Sequence, residues 1–401
     1  MNKRHVPALD GIRGLAIVAV LMRHVAYVFM QHGSITRWFL PVFQFGMWGV
    51  DLFFVLSGFL ITGILIETRA ATNRARSFYG RRVLRIFPVY YLTIAVVFVG
   101  EHFSPWIKTA ANLQNLPDHL SYLFYFQNFI PMWHHGLYPE SIIGPFWSLA
   151  IEEQFYFIWP MVVWRLAPRS IVKVCAVALC STFALRLILV PNFGDGIWLY
   201  ALTPTRADGL FVGAALAAVY AIRGEFSRPL LHGLASAGCV CLAAVAIFAP
   251  VNELWLTGHL MSVIGISGVA LLCGALVVFC LRYNEGRLAK VFQLKWMRSL
   301  GKYSYGMYVF HLGVYYGVQY WLTNRFHVKF PLPTAYGLLY FAVLLGLTYG
   351  LAWLSFKCFE SWFLGLKRFF EPVFPEEPKA LSASEIESEQ RGRELLRHQT
   401  V

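Results

Sequence analysis

Apolar runs of roughly 20 residues, separated by short polar segments, recur along the first 370 positions of the chain. A helix needs about 20 mostly apolar residues to cross a bilayer. By that measure the pattern predicts about ten spans, near residues 9–29, 47–66, 84–100, 146–165, 171–190, 206–222, 231–250, 259–281, 303–322 and 335–356. The third is short by the same measure. The expected fold class is therefore an all-α polytopic membrane protein, a bundle of about ten transmembrane helices.

The charges between the runs orient the bundle. With the N-terminus inside, the 67–83 loop is cytoplasmic and carries Arg69, Arg74, Arg76, Arg81 and Arg82. Other inside loops then hold Arg165, Arg169 and Lys173; Arg223 and Arg228; and Arg282, Arg287, Lys290, Lys295 and Arg298. The outside loops hold Arg37, Lys108, Arg325 and Lys329. This asymmetry follows the positive-inside rule, and an even number of spans puts both termini in the cytoplasm. Residues 101–145 form the longest outer loop, and its run from Leu120 to Ile130 is too short to span and suits the interface. Residues 1–370 read as one transmembrane domain and 371–401 as a polar cytoplasmic tail, largely disordered.

Composition agrees with the pattern. Hydrophobic residues make up 58% of the 401 positions and charged residues 14%, against about a quarter charged in an ordinary soluble domain. Mean hydropathy is +0.55. The formal charge of +13 sits largely in loops, so it is a topology signal and not a nucleic-acid surface. No cleavable signal peptide is expected, because Asp10, Arg13, Arg23 and His24 interrupt the first apolar run. The seven cysteines lack zinc-ligand spacing, so neither a metal site nor a disulfide is expected.

Ionisable groups at membrane depth are costly, and each is a functional candidate. Arg13 and His24 share a face of the first helix, ~16 Å apart along its axis. A neutral imidazole at the depth of His24 could take a proton from a hydroxyl; alternatively it bonds between helices. Asp51 stands at the start of the second span, where it caps the helix or orients a cation. The neighbouring Ser57-Gly58 pair permits close helix packing. Arg82 and Arg85 share a face at the head of the third span. With Arg81 they suit a phosphorylated donor such as coenzyme A, or else they simply set topology.

Glu152 and Glu153 open the fourth span and point about 100° apart, so one of them faces any given site. A carboxylate beside His24 could orient it or raise its basicity; pairing with Arg23, Arg186 or Arg206 is the structural alternative. Arg206 and Asp208 cannot share a helical face, so each needs another partner. Ser304, Tyr308 and His311 form a polar stripe that either lines a donor tunnel or bonds between helices, and His311 is a second base candidate. Glu360 reads as structural.

Together these motifs resemble acyltransferase family 3, the membrane enzymes that O-acylate bacterial surface sugars. The carriers are Ala8-Leu-Asp-Gly-Ile-Arg-Gly14, the Arg13-to-His24 spacing, Gly49-to-Thr62, Arg82-Val-Leu-Arg85, Trp147-Ser-Leu-Ala-Ile-Glu-Glu-Gln-Phe-Tyr156 and Ser304-to-His311. Individually each is weak; their order and spacing, over roughly residues 5 to 365, are specific. The resemblance implies transfer of an acyl group, usually acetyl, from cytoplasmic acyl-coenzyme A to a hydroxyl of a carbohydrate or lipid-linked sugar at the outer side of a bacterial inner membrane. It further implies His24 as catalytic base, Arg13 as its motif partner, Arg82 and Arg85 as donor-binding, and Glu152 ahead of Glu153 as the family glutamate. Many relatives carry an added outer hydrolase-like domain, which has no counterpart in this sequence. The rival readings are a transporter of a lipid-linked or small polar molecule and a non-catalytic scaffold.

Overall fold

The computed structural model describes residues 6–26, 45–113, 115–134, 141–193, 197–249 and 258–375. Among these the secondary structure is helical throughout. The long helices are α1 (Pro7–Val25), α2 (Trp48–Glu67), α3 (Arg74–Phe103), α4 (Trp147–Val163), α5 (Pro168–Phe193), α6 (Asp208–Arg223), α7 (Arg228–Phe248), α8 (Ile266–Arg282), α9 (Lys295–Phe326) and α10 (Thr334–Ser355). Each predicted apolar run overlaps one of them, the eighth also taking in Met261–Gly265 ahead of α8. The end of the first predicted run, the outer-loop cation Arg37 and the tail beyond residue 375 lie outside the described residues.

Six stretches among the described residues are long and apolar enough to cross a membrane: α2, α3, α5, α7, Met261–Arg282 and Ala335–Phe370. The remaining long helices fall short for identifiable reasons. Helix α1 carries Asp10, Arg13 and Arg23, α4 and α6 have only 17 and 16 residues, and α9 is 32 residues long but polar along much of its length. Backbone groups bonded within a helix need no water. Helices therefore run past their apolar windows: α3 begins at Arg74 and α9 at Lys295, each ahead of the predicted span.

Burial separates centre from rim. The apolar window of α2 is 72% buried and that of Met261–Arg282 is 61% buried, against 11% for α7. Helix α2 packs between α1 and α6, while α9 packs between α1 and α10. Glycine makes the tightest of these seams. A Cβ at Gly58 would overlap the Leu210 carbonyl and one at Gly213 the Val55 carbonyl, which fits the close packing expected of the Ser57-Gly58 pair. The expected interfacial run is broken into short helices, Leu116–Leu123 and Ile130–Trp133. It leaves Leu120, Phe124 and Phe126 exposed but buries Tyr122, Gln127 and Asn128.

At the arginine-rich end the chain beyond α10 folds back on the loop before α3. Ser77 Oγ donates to the Phe370 carbonyl at 2.8 Å, and Asn73 exchanges hydrogen bonds with the backbone of Glu371 and Val373. The first residues of the polar tail are thus fixed to the loop that precedes Arg81 and Arg82.

Candidate active site

The site begins with the seam between α1 and α9. A methyl group at Gly11 would overlap the Phe292 carbonyl, one at Gly14 the Met297 carbonyl, and one at Gly301 the Asp10 carbonyl. Only glycine permits this backbone approach. The polar stripe of α1 is thereby pressed against that of α9, although the two lie near opposite ends of the chain.

Two cavities follow the seam. The larger, about 580 Å³, lies at the arginine-rich end, and Arg13, Arg85, Lys295, Arg298 and Lys302 line it with Asp10 as the acidic group. Lys302 Nζ is 4.9 Å from the Phe356 ring centroid, a cation–π arrangement. A smaller cavity of about 100 Å³ continues inward, with Ser57, Arg82, Glu152, Tyr156, Ser304 and Tyr308 among its walls. Arg13 and Arg85 line both cavities and so form the neck between them. So many cations around one enclosure create a positive potential that favours a polyanionic guest.

Within the inner cavity Ser57 Oγ donates to Glu152 Oε1 at 2.7 Å. The Arg82 guanidinium lies 5.6 Å from the Tyr156 ring centroid. Of the two adjacent carboxylates, Glu152 lines the cavity. Glu153 is not part of that wall, yet it stays within electrostatic reach of the wall residues Arg82 and Tyr305 and of Tyr125. Ser304 Oγ donates to the Gly301 carbonyl at 2.9 Å. Tyr308 completes this wall: its hydroxyl lies 2.5 Å from Ser148 Oγ and donates to the Pro145 carbonyl at 2.7 Å.

Behind Tyr308 stand two histidines. The His311 ring centroid is 5.6 Å from that of Tyr308 and 4.7 Å from that of His24. His24 Nδ1 lies 2.9 Å from the Val20 carbonyl and His311 Nδ1 2.6 Å from the Tyr308 carbonyl. A carbonyl only accepts, so each Nδ1 carries the proton and each Nε2 keeps a lone pair. His311 is buried and its Nε2 has no hydrogen-bond partner among the described residues, whereas His24 is half-buried.

Several expectations change. Asp51 does not cap α2, whose start has no side-chain cap. Its carboxylate instead takes both terminal nitrogens of Arg206. Asp208 pairs with Arg186 at 3.0 Å, and both bond Ser267. Arg206 and Asp208 nevertheless approach to 3.9 Å, because Arg206 ends a separate helix (Thr203–Arg206) and the facing rule for one continuous helix does not apply. Arg186 and Arg206 are thus engaged away from Glu152. Arg81 is exposed and lies outside both cavity walls, unlike Arg82 and Arg85. Glu360 is buried and accepts from Ser355 at 3.3 Å. Lys295 and Arg298 had read as topology charges and Lys302 had gone unnoticed; their clustering on the first two turns of α9 was the available signal.

Fold and site define an integral membrane helical bundle with an internal polar chamber. The chain belongs to the family described as "Acyltransferase domain", which matches residues 6–356. It is 32% identical over 332 residues to the peptidoglycan O-acetyltransferase OatA of Listeria monocytogenes, an alignment covering 77% of this chain and 49% of the relative. It is 32% identical over 335 residues to the putative peptidoglycan O-acetyltransferase YrhL of Bacillus subtilis, covering 78% and 49%. With the O-acetyltransferase OatA of Staphylococcus aureus the identity is 26% over 353 residues, covering 83% and 53%. The chain spans about half the length of these relatives. No solved structure matches it significantly. Among the described residues no group of three or more histidine, cysteine or acidic side chains is arranged to hold a metal ion.

Proposed function

We propose that the protein transfers an acyl group, acetyl by likeness to its relatives, from cytoplasmic acyl-coenzyme A to a hydroxyl of a carbohydrate at the outer face of a bacterial inner membrane. The acceptor class is a cell-wall or lipid-linked sugar. The observation that carries this reading is the continuous wall from the basic cavity, through the Arg13–Arg85 neck, to Tyr308 with His311 and His24 behind it. In this reading about ten helices span the bilayer, both termini are cytoplasmic, and the arginine-rich end faces the cytoplasm.

The large cavity receives the phosphates of the donor, which Arg13, Arg85, Lys295, Arg298 and Lys302 hold by charge-assisted hydrogen bonds. The pantetheine arm passes the Arg13–Arg85 neck into the small cavity, where Arg82 lines the wall and Glu152 accepts from an amide N–H of the arm. His24 Nε2 takes the proton of the acceptor hydroxyl as its oxygen attacks the acyl carbon. Arg13 steadies negative charge along the donor path.

The test is thiol release from acetyl-coenzyme A by purified protein, offered free and polyprenol-linked sugars, with wild type beside His24→Ala. Release that vanishes in the variant supports acyl transfer with His24 as base. Equal release from both removes His24 from that role. Absence of both turnover and donor binding sinks the acyltransferase reading and brings the transporter reading forward.

A further inference from the structure

His311 is left without a task by a single-base mechanism. It is buried, its Nδ1 is fixed on the Tyr308 carbonyl, and its Nε2 has no partner among the described residues. It also has a definite place in a series. Tyr308 lines the inner cavity, the His311 ring centroid is 5.6 Å from that of Tyr308, and the His24 ring centroid is 4.7 Å from that of His311. His24 is the more exposed of the two imidazoles. A thioester passing Tyr308 is thus beside His311, the ring next to Tyr308, while His24 is the imidazole more open to an arriving hydroxyl.

Resting on the acyltransferase reading, we infer that the two histidines divide the reaction, with His311 as the nucleophile that accepts the acyl group and His24 as the base that activates the acceptor. In the first step the His311 Nε2 lone pair attacks the thioester carbonyl. A C–N bond forms, the C–S bond breaks, and the coenzyme leaves as a thiolate into the cavity lined by Arg13, Arg82 and Arg85. The acyl-imidazolium keeps its Nδ1 proton on the Tyr308 carbonyl. In the second step His24 Nε2 takes the hydroxyl proton as the acceptor oxygen attacks the acyl carbon. A C–O bond forms, the C–N bond breaks, neutral His311 is restored, and the proton on His24 passes to the thiolate. Ester and free thiol are the products, and no further reactant is needed. The arrangement solves a problem of geometry: donor and acceptor approach from opposite faces, and neither has to reach the other's site. The Tyr308 ring must swing aside for the first step, releasing its bonds to Ser148 and Pro145.

The experiment is a quench of wild type, His24→Gln and His311→Gln after mixing with radiolabelled acetyl-coenzyme A and no acceptor, followed by denaturation at neutral pH. Wild type and His24→Gln are expected to retain up to one label per chain, released by hydroxylamine, and His311→Gln none. Mass spectrometry of digested wild type locates the acetyl group without relying on any variant's folding; the expected position is His311. Label at any other residue, or label persisting in His311→Gln, overturns the inference. So does wild-type protein that turns over donor and acceptor in a His24-dependent way yet never carries label, a result that leaves the acyltransferase reading standing. Wild type that neither binds nor consumes acetyl-coenzyme A removes both.

Discussion

Arg206 holds both carboxylate oxygens of Asp51, at 2.5 and 2.9 Å, with neither side chain more than 2% exposed. The pair ties the first turn of α2 to the short helix ahead of α6. The guanidinium also donates to the Tyr200 hydroxyl at 3.0 Å, and that ring's centroid lies 4.5 Å away. Removing one member of a buried ion pair costs about 3–5 kcal/mol, because the other charge stays behind. Asp51→Asn is therefore expected to lower the thermal midpoint of detergent-purified protein sharply. The double variant Asp51→Leu/Arg206→Met should recover much of that loss, and a wild-type melt for Asp51→Asn alone would contradict the account.

The two adjacent carboxylates should separate in kinetics. Glu152→Gln and Ser57→Ala disturb one charge-assisted bond, worth about 1.5–3 kcal/mol, and should lower kcat/KM for acetyl-coenzyme A by roughly ten- to hundredfold. Glu153→Gln, which does not touch the cavity wall, should change it less. A larger loss from Glu153→Gln than from Glu152→Gln would reverse the assignment.

The cations at the start of α9 are expected to act on donor binding alone. Lys302→Ala and Arg298→Ala should each raise the KM for acetyl-coenzyme A several-fold with kcat unchanged, the pattern of lost uniform binding. Added salt should weaken donor binding in wild type more than in the double variant, since screening acts on charges still present. A fall in kcat at constant KM would place these residues elsewhere in the reaction.

On the short helix Leu116–Leu123, His119 titrates above the ordinary histidine range. Burial acts against its charge, but bonds to the Asn115 carbonyl at 2.8 Å and to the Glu101 carboxylate at 2.6 Å, with Asp118 nearby, outweigh it. Because the folded value lies above the unfolded one, near about 6.5, its stabilisation is complete below that value. It fades as pH rises through the folded value. Hydrogen exchange across Leu116–Leu123 should quicken over that interval, and Glu101→Gln should lower the His119 midpoint measured by NMR. A midpoint unmoved by Glu101→Gln would show that the carboxylate is not its cause.

Much of this molecule was legible in one dimension. Apolar runs placed every long helix, because a segment's own backbone bonds and apolar side chains decide whether it forms a helix at membrane depth. Their boundaries were less legible: Arg74 and Lys295 begin helices that continue through charged turns a hydropathy window leaves out. The residue types of the site were also visible, since Arg13, His24, Arg82, Arg85, Glu152, Tyr308 and His311 all interrupt apolar sequence. Their partners were not. Asp51 read as a cap because a carboxylate in a first turn usually serves its own helix; here an arginine far along the chain reaches it first. Whether Glu152 or Glu153 faces the cavity depends on how α4 is rotated, and that follows from its neighbours.

The sequence by itself determined an all-helical, membrane-embedded chain, its arginine-rich end, and the stripes of α1 and α9 from which a site would be drawn. Those properties are local: they depend on residues a few positions apart on one helix. Only the tertiary structure decided that Gly11, Gly14 and Gly301 bring those stripes together, that Arg13 and Arg85 form one neck, and that His24 stands against His311. Such contacts join residues far apart along the chain, and helix packing, not spacing along the sequence, selects them.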